Sequence, residues 1–456
     1  MKIADKNTSA VSLVREALAK AKKFAEYNAF ISTDEKAALA RAEEIDRKLA
    51  AGEKVGKLAG VPYALKDNYL SREGKTTAAS KMLENFQAPV TATAVAKIEA
   101  EGAIMIGRTN LDAFAHGGST ENSYFGPTLN SHDKTRVAGG SSGGSAVAVA
   151  LGIVPFALGT DTGGSIRQPA AFNGLVGLKP TYGTVSRYGV VATVSSTDTI
   201  GCLAADAADV ELVMGIMAGR DAKDSTTLDD FWTAEPEDKK LNVGVIKDFM
   251  SEGVDADVKR CISEYAERLK QASHRVEEIE MPILKYSLAI YYIVNYAEIV
   301  SNLSRYDGVR YGYSADGAKT LSGLYGKSRD EGFMPENKRR IMLGNFVLSS
   351  GFFDAYYLKA QKARTLLIRE YDKAFEKFDV LLCPVAPTPA FKLGANTDDP
   401  MKMYLEDVMT VPPSITGLPA LAVPAGLAAD GLPVGVQLIG PRRSDRRLLK
   451  LAKEAK

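Results

Sequence analysis

Hydrophobic positions recur along the chain with two periods. Val11, Leu13, Val14, Ala17, Leu18 and Ala21 repeat at helical spacing behind Asn7-Thr8-Ser9, which predicts a capped helix reaching about Tyr27. A second helix, charged along one side, is expected over residues 32–51. From Gly60 onward the pattern changes to short apolar runs separated by helical segments. Strands are predicted at 60–66, 103–107, 153–159 and 175–179, with helices at 91–101, 142–151 and 206–217 and a short helical start at 165–171. A further strand–helix–strand unit covers 241–246, 254–272 and 276–279. Residues 283–304 read as a tyrosine-rich helix, and 337–377 as one or two helices broken near Ser349-Ser350-Gly351. The strand 380–384 is followed by 418–425 and 432–440, which flank the hairpin signal Asp430-Gly431. Pro441 ends that strand, and 446–456 form a last basic helix. The polar stretch 221–240, with the lone Trp232, is expected to be an exposed loop. This alternation predicts an α/β fold whose mixed, twisted sheet is covered by helices on both faces.

Composition narrows the function classes. A chain of 456 residues that is 45% hydrophobic can bury a large core. Basic and acidic side chains number 57 and 56, a net charge of +1, so no global positive field advertises nucleic acid; RNA would be gripped by a partner. Cys202, Cys261 and Cys383 form no C-x-x-C pair, which fits a reducing cytoplasm and argues against a disulfide framework or a structural metal. The N-terminus has no apolar signal-peptide core. The longest apolar run, 146–159, is too short to span a bilayer and contains Pro155, so no membrane role is expected.

Two glycine–serine clusters, Gly139-Gly140-Ser141-Ser142-Gly143-Gly144-Ser145 and Asp161-Thr162-Gly163-Gly164-Ser165, bracket that apolar run. Linkers of this composition are flanked by polar sequence; these abut core, which suggests backbone amides held close to an anion or a developing oxyanion. Phosphate loops are excluded by spacing. Gly74-Lys75-Thr76 and Gly326-Lys327-Ser328 lack the glycine five residues upstream, where Tyr69 and Leu321 stand, and no two glycines are two apart. A serine nucleophile attacking a carbonyl remains. His116, His132 and His274 sit in no convincing triad context, whereas a strand-like segment, Gly60-Val61-Pro62-Tyr63-Ala64-Leu65-Lys66-Asp67-Asn68, delivers Lys66 at its end. A buried lysine drops towards neutrality and becomes a base. Asp67, its neighbour in the strand, points away.

These three segments together resemble the amidase signature family, whose members use a Ser–(cis)Ser–Lys triad. The spacing from Lys66 to Ser141 and from Ser141 to Ser165 agrees with that family's pattern. The resemblance implies Ser165 as nucleophile, Ser141 as bridging serine and Lys66 as base, with Thr162, Gly163 and Gly164 lending oxyanion-hole amides alongside Ser165. The segments at Arg108–Asp112 and Gly118–Asn122 also match, except that Ala113 and Gly118 replace the usual Glu and Ser. The resemblance implies one amidase-signature domain over 1–456: a helical leader to about 55, a signature core over about 60–205, and a C-terminal half from about 206 completing the sheet and substrate pocket.

Outside the signature, Ser123–Thr128, Ser301–Gly312, Lys338–Gly344 and Asp354–Gln361 resemble the A subunits of bacterial aspartyl/glutamyl-tRNA amidotransferases. That similarity implies glutamine hydrolysis feeding ammonia to a heterotrimer with B (kinase and tRNA-binding) and C (small bridging) subunits. There Glu-tRNA(Gln) or Asp-tRNA(Asn) is activated with ATP and Mg by the partner, and no cofactor is implied for this chain. Glutamine's α-carboxylate and α-ammonium call for one cation and one anion. The resemblance assigns these roles to Arg340, with Arg339 as competitor, and Asp407, with Tyr291 or Tyr292 lining the pocket. A free-standing amidase on small or aryl amides is the alternative; it would tolerate loss of Arg340 and Asp407.

Overall fold

The computed structural model describes residues 9–230, 232 and 236–455. Asn7, Thr8 and Lys456, to which the first and last predicted helices extend, lie outside the described residues, as do positions 231 and 233–235 of the predicted loop.

The strands are β1 (Phe30–Thr33), β2 (Pro62–Lys66), β3 (Ile104–Thr109), β4 (Phe156–Asp161), β5 (Val176–Lys179), β6 (Thr199–Ala204), β7 (Asn242–Ile246), β8 (Arg275–Ile279), β9 (Val380–Pro384), β10 (Ala420–Leu427) and β11 (Pro433–Ile439). Among the described residues they form one 11-stranded sheet in the order β1-β3-β2-β4-β6-β5-β10-β11-β9-β7-β8. β2 runs parallel to both β3 and β4, and β7 to β8 and β9, while β4 with β6 and β10 with β11 are antiparallel. The sheet is therefore mixed, as the pattern predicted.

Period-two alternation distributes its side chains between two helical layers. Tyr63 and Leu65 of β2, Phe156 and Leu158 of β4, and Cys202 and Ala204 of β6 enter one core with residues of helices Thr93–Ala100, Ala207–Met217 and Asp445–Glu454. Ala64, Ala157 and Leu203 enter the opposite core with helices Ala10–Lys23, Glu35–Ala50 and Gly143–Ala150. Lys66 thus continues the Ala64 face, towards the helix that follows the first serine cluster.

Several elements depart from the pattern. Residues 30–33 form β1, and the helix expected from Ser32 starts after Asp34, whose carboxylate accepts from the Ala37 amide at 3.0 Å; Phe30 and Ile31 favour a strand over a helical turn. β4 begins three residues late and runs on to Asp161. β6 is not foreseen by the pattern, because its run of small apolar residues lacks alternation, being buried on both faces. Helix Leu321–Gly332 is not foreseen either: Gly323 and Gly326 weaken its signal, and its start is capped by Thr320, which accepts from Gly323 N at 3.0 Å. Trp232 packs against the core. No helix among the described residues is long and apolar enough to cross a membrane.

Candidate active site

The site lies over the carboxyl ends of the adjacent parallel strands β2 and β4. Lys66, the last residue of β2, is fully buried. Its Nζ lies 2.8 Å from Ser141 Oγ, 2.8 Å from Ser142 Oγ and 2.9 Å from Thr160 Oγ1. The Ser142 hydroxyl donates to Thr160 O at 3.2 Å, and Asn68 Nδ2 donates to Thr160 Oγ1 at 3.0 Å, so both oxygens are turned to accept from the lysine. A neutral amine has two N–H bonds. With those directed at Ser142 and Thr160, its lone pair faces the Ser141 hydroxyl. Burial pulls the Lys66 pKa down to about 7 against the opposing pull of Asp112, Asp161 and Asp198.

The second cluster is shaped by Asp161, buried at the end of β4. Its carboxylate accepts from the amides of Gly164 (2.9 Å) and Ile166 (3.1 Å) and from the Arg167 guanidinium at 2.8 Å and 3.0 Å. Burial pushes the acid up, but Arg167 and these amides outweigh it and hold it below the usual carboxylate range. The Gly164 amide, expected in the oxyanion hole, is therefore committed to Asp161, because a desolvated carboxylate collects every donor within reach. The amides of Thr162, Gly163 and Ser165 donate to no protein acceptor among the described residues. Thr162 is anchored by its hydroxyl, which donates to Asp198 at 2.7 Å, and Thr410 Oγ1 donates to Gly163 O at 2.6 Å. Any side chain at Gly163 would collide with the Tyr291 ring and hydroxyl. Ser165 is 7% exposed, and its carbonyl accepts from the Ser142 amide at 3.1 Å, which ties the two clusters together. The Ser165 hydroxyl is not a partner of Lys66; Ser141 stands at the lysine instead.

The predicted substrate residues gather beside this core. Arg340 is buried, with Nε donating to Glu336 at 2.8 Å and its guanidinium 5.9 Å from the rings of both Tyr292 and Tyr404. Its terminal nitrogens make no protein hydrogen bond among the described residues, and it lines a cavity of about 330 Å³ with His116, Gly118, Met403 and Tyr404. Arg339 lines the same cavity but is 44% exposed and pairs with the other oxygen of Glu336, so of the two arginines Arg340 is the buried one. Asp407 is half-buried, accepts from Tyr292 OH at 3.1 Å, and is pushed up to about 7 by burial, opposed by Tyr292 and Arg340. Tyr291 stacks edge-on against Tyr292 at 5.0 Å.

Asp67 turns to Arg108 (3.3 Å) and to the Thr77 amide (2.9 Å), away from Lys66, as strand alternation requires. None of the histidines joins the lysine cluster: His116 meets Asn337, His132 meets Asn173 O, and His274 meets Glu454. Sequence reasoning does not reach Ser142, Thr160, Asp198 or Thr410. Composition alone does not separate adjacent serines in a Gly-Ser run, and the resemblance, which picks out Ser141, assigns no role to these four. Asp161 left the one usable signal, a single acid ending a buried apolar run.

The family model described as Amidase matches residues 12–449. The glutamyl-tRNA(Gln) amidotransferase A subunit of Thermosynechococcus vestitus is 50% identical over 430 residues, covering 93% of this chain and 89% of that one. Among solved structures, the crystal structure of the glutamyl-tRNA(Gln) amidotransferase A subunit from Thermotoga maritima superposes with a TM-score of 0.81 at 37% identity, covering 98% of this chain and 91% of that one. A structure described only as an amidase superposes with a TM-score of 0.85 at 32% identity, covering 99% and 96%. With the family model matched over residues 12–449 and a relative 50% identical over 93% of the chain, the chain belongs to the amidase family.

Proposed function

We propose that this chain is the glutamine-hydrolysing subunit of a tRNA-dependent amidotransferase. The observation that carries the chemistry is the fully buried Lys66 amine, drawn to about 7 and held 2.8 Å from Ser141 Oγ. In the proposed reaction, neutral Lys66 takes a proton from Ser141 as Ser141 takes one from Ser165. The Ser165 oxygen bonds to the side-chain carbonyl carbon of glutamine, and the oxyanion meets the free amides around Thr162 and Gly163. One such donor contributes about 3 kcal/mol in comparable sites. The tetrahedral species collapses, the C–N bond breaks, and Ser141 returns the proton to departing ammonia while Lys66 reprotonates Ser141. Water then attacks the γ-glutamyl ester by the same relay and releases glutamate.

Arg340 and Asp407 support glutamine over a neutral amide. A guanidinium with free terminal nitrogens suits the α-carboxylate, and Asp407 suits the α-ammonium. The A-subunit relatives support an amidotransferase complex as the destination of the ammonia. In our reading the partners are a B subunit that activates Glu-tRNA(Gln) or Asp-tRNA(Asn) with ATP and Mg, and a small bridging C subunit, working in the cytoplasm. An exposed apolar cluster supports a partner contact: Met342 is 72% exposed, and the partly exposed Phe346, Phe352 and Tyr356 stack at 4.3 Å and 6.0 Å. The 32%-identical amidase structure keeps a free-standing amidase in view. Ammonia release from glutamine decides between them. A low rate for this chain alone that rises on adding partner subunits, ATP and misacylated tRNA supports the proposal. Equal rates with and without partners, with faster turnover of simple amides, would overturn it. Ser165→Ala is expected to abolish acyl-enzyme formation.

A further inference from the structure

Gln168 is fully buried one turn beyond Ser165, and its amide orientation is fixed. Oε1 accepts from the Gly140 amide at 3.0 Å, immediately before Ser141. Nε2 is therefore on the other side of the amide, where it is buried without a hydrogen-bond partner among the described residues. An amide donor left unpaired in the interior is costly, so a glutamine here requires a reason. The orphan nitrogen faces Gly118. A Cβ built at Gly118 would lie 3.7 Å from Gln168 Nε2, 3.5 Å from Asp407 Oδ1 and 3.8 Å from Met403 Sδ, all ordinary contacts. Gly118 and Met403 line the same cavity as Arg340. A donor with no acceptor and a carboxylate oxygen with no protein donor among the described residues thus stand within 4 Å of one point, the Cβ position of Gly118 in the wall of that cavity.

We infer that Gln168 is a substrate-binding residue whose Nε2 donates to the α-carboxylate of the amino-acid substrate, beside the ammonium held by Asp407. The inference rests on the glutamine reading above and adds a second carboxylate ligand to Arg340. The assignment to the carboxylate follows from valence: Nε2 can only donate, so the ammonium cannot be its partner. The two charged groups of an α-amino acid sit on one carbon, which matches a donor and an acceptor flanking one small space. A carboxylate offers about four lone-pair positions, enough for the Arg340 fork and this amide together. Because Oε1 of the same side chain holds Gly140, head-group binding and the seating of Ser141 share one residue.

The test is steady-state glutamine hydrolysis by the full chain in its complex, comparing wild type with Gln168→Glu. The variant is isosteric and keeps an acceptor for Gly140, but replaces the donor by an acceptor. The expected result is a 10- to 100-fold rise in KM for glutamine with kcat changed less than threefold. Competitive inhibition separates the two head groups. The Ki of 4-carbamoylbutanoate, which has the carboxylate but no amine, should rise in parallel. The Ki of 4-aminobutanamide, which has the amine but no carboxylate, should not. Gly118→Val, which fills the shared space and leaves the Gln168–Gly140 bond intact, should also raise KM, and covers the case in which Gln168→Glu folds poorly. A glutamine KM within twofold of wild type in both variants, or equal rises in both inhibition constants, would overturn the inference. Wild-type protein that hydrolyses simple amides but not glutamine would overturn the reading beneath it, a separable outcome.

Discussion

Removing the base is the most discriminating perturbation. The Lys66 pKa falls from 10.5 to about 7 through burial. At about 1.4 kcal/mol per tenfold this favours the neutral amine by roughly 5 kcal/mol, and it raises the neutral fraction at pH 7 from about one in three thousand to about one half. That fraction multiplies directly into the rate of Ser165 attack. In wild type, kcat at saturating glutamine should climb as pH rises through about 7 and then level off; kcat isolates the lysine, because kcat/KM also carries the ionisation of Asp407, which titrates in the same range. Lys66→Ala should lose at least a thousandfold and lose the rise as well. Lys66→Arg should be equally inactive, because a guanidinium stays protonated throughout the range. The same shift has a stability consequence whose sign is fixed. Between about 7 and 10.5 the unfolded chain binds a proton at Lys66 that the folded chain does not, so stability rises with pH across that window. Below about 7 the penalty is present in full. Lys66→Met should therefore raise the melting temperature relative to wild type more at pH 6 than at pH 10.5. The assays are ammonia release across pH 5–9 and thermal unfolding at the two pH values. Lys66→Ala retaining a tenth of wild-type activity with the same pH rise would refute the assignment of Lys66 as base.

Three further perturbations separate binding, loop geometry and stability. Arg340→Met should raise the glutamine KM by about 100-fold with kcat nearly unchanged, since a charge-assisted pair is removed that ground and transition states share. Gly163→Ala should depress kcat about 100-fold through collision with the Tyr291 hydroxyl, and Tyr291→Phe in the same chain should restore part of it; no restoration would mean that the loop backbone itself is at fault. Arg167→Met leaves the buried Asp161 carboxylate without its cation and should cost about 3–5 kcal/mol in urea unfolding. A loss below 1 kcal/mol would show that the amides of Gly164 and Ile166 suffice to hold that acid.

Legibility in the sequence followed how locally each feature is encoded. β2 and β4 are short apolar runs with chemistry at their ends, so Lys66 and the second serine cluster can be placed from the residue pattern alone. The boundary errors arose where local and tertiary preferences compete: residues 30–33 join β3 as an edge strand although the charged helix begins directly after them. The pocket was legible only through resemblance. Arg340 and Arg339 are adjacent on one helix, and a helix turns about 100° between neighbours, so one faces Tyr292 and the other solvent. Periodicity in Pro335–Leu348 is too weak to tell which, because the apolar and polar positions do not segregate along that helix. Ser142 shows the same limit at the triad. Its hydroxyl takes one N–H of Lys66, but nothing in the composition of Gly140-Ser141-Ser142-Gly143 foretells that second contact; the resemblance singles out Ser141 alone, and the fold turns both serines towards the lysine.

The electrostatics of the lysine explain why so much of the chain is needed to support one proton transfer. Asp112, Asp161 and Asp198 all act to keep Lys66 charged, yet burial prevails. It can prevail because each acid has its own donors. Asp112 accepts from the amides of Thr120 (2.9 Å) and Asn122 (3.1 Å), and Asp198 from the Thr162 hydroxyl and the amides of Thr193 (2.8 Å) and Val194 (3.0 Å). Asp161 has Arg167. None of them hydrogen-bonds Lys66 itself. Were one of them to reach the amine directly, a charge-assisted pair would form and the lysine would stay protonated at neutral pH. The same donors that satisfy the acids also shape the site: Asp198 fixes Thr162, Asp161 pins Gly164 and leaves Gly163 free, and Asp112 holds the segment that packs against Gly140. Satisfying three buried carboxylates and keeping one amine neutral are therefore a single structural requirement. It ties the segments around 112–122, 161–167 and 193–198 to the one lysine at the end of β2.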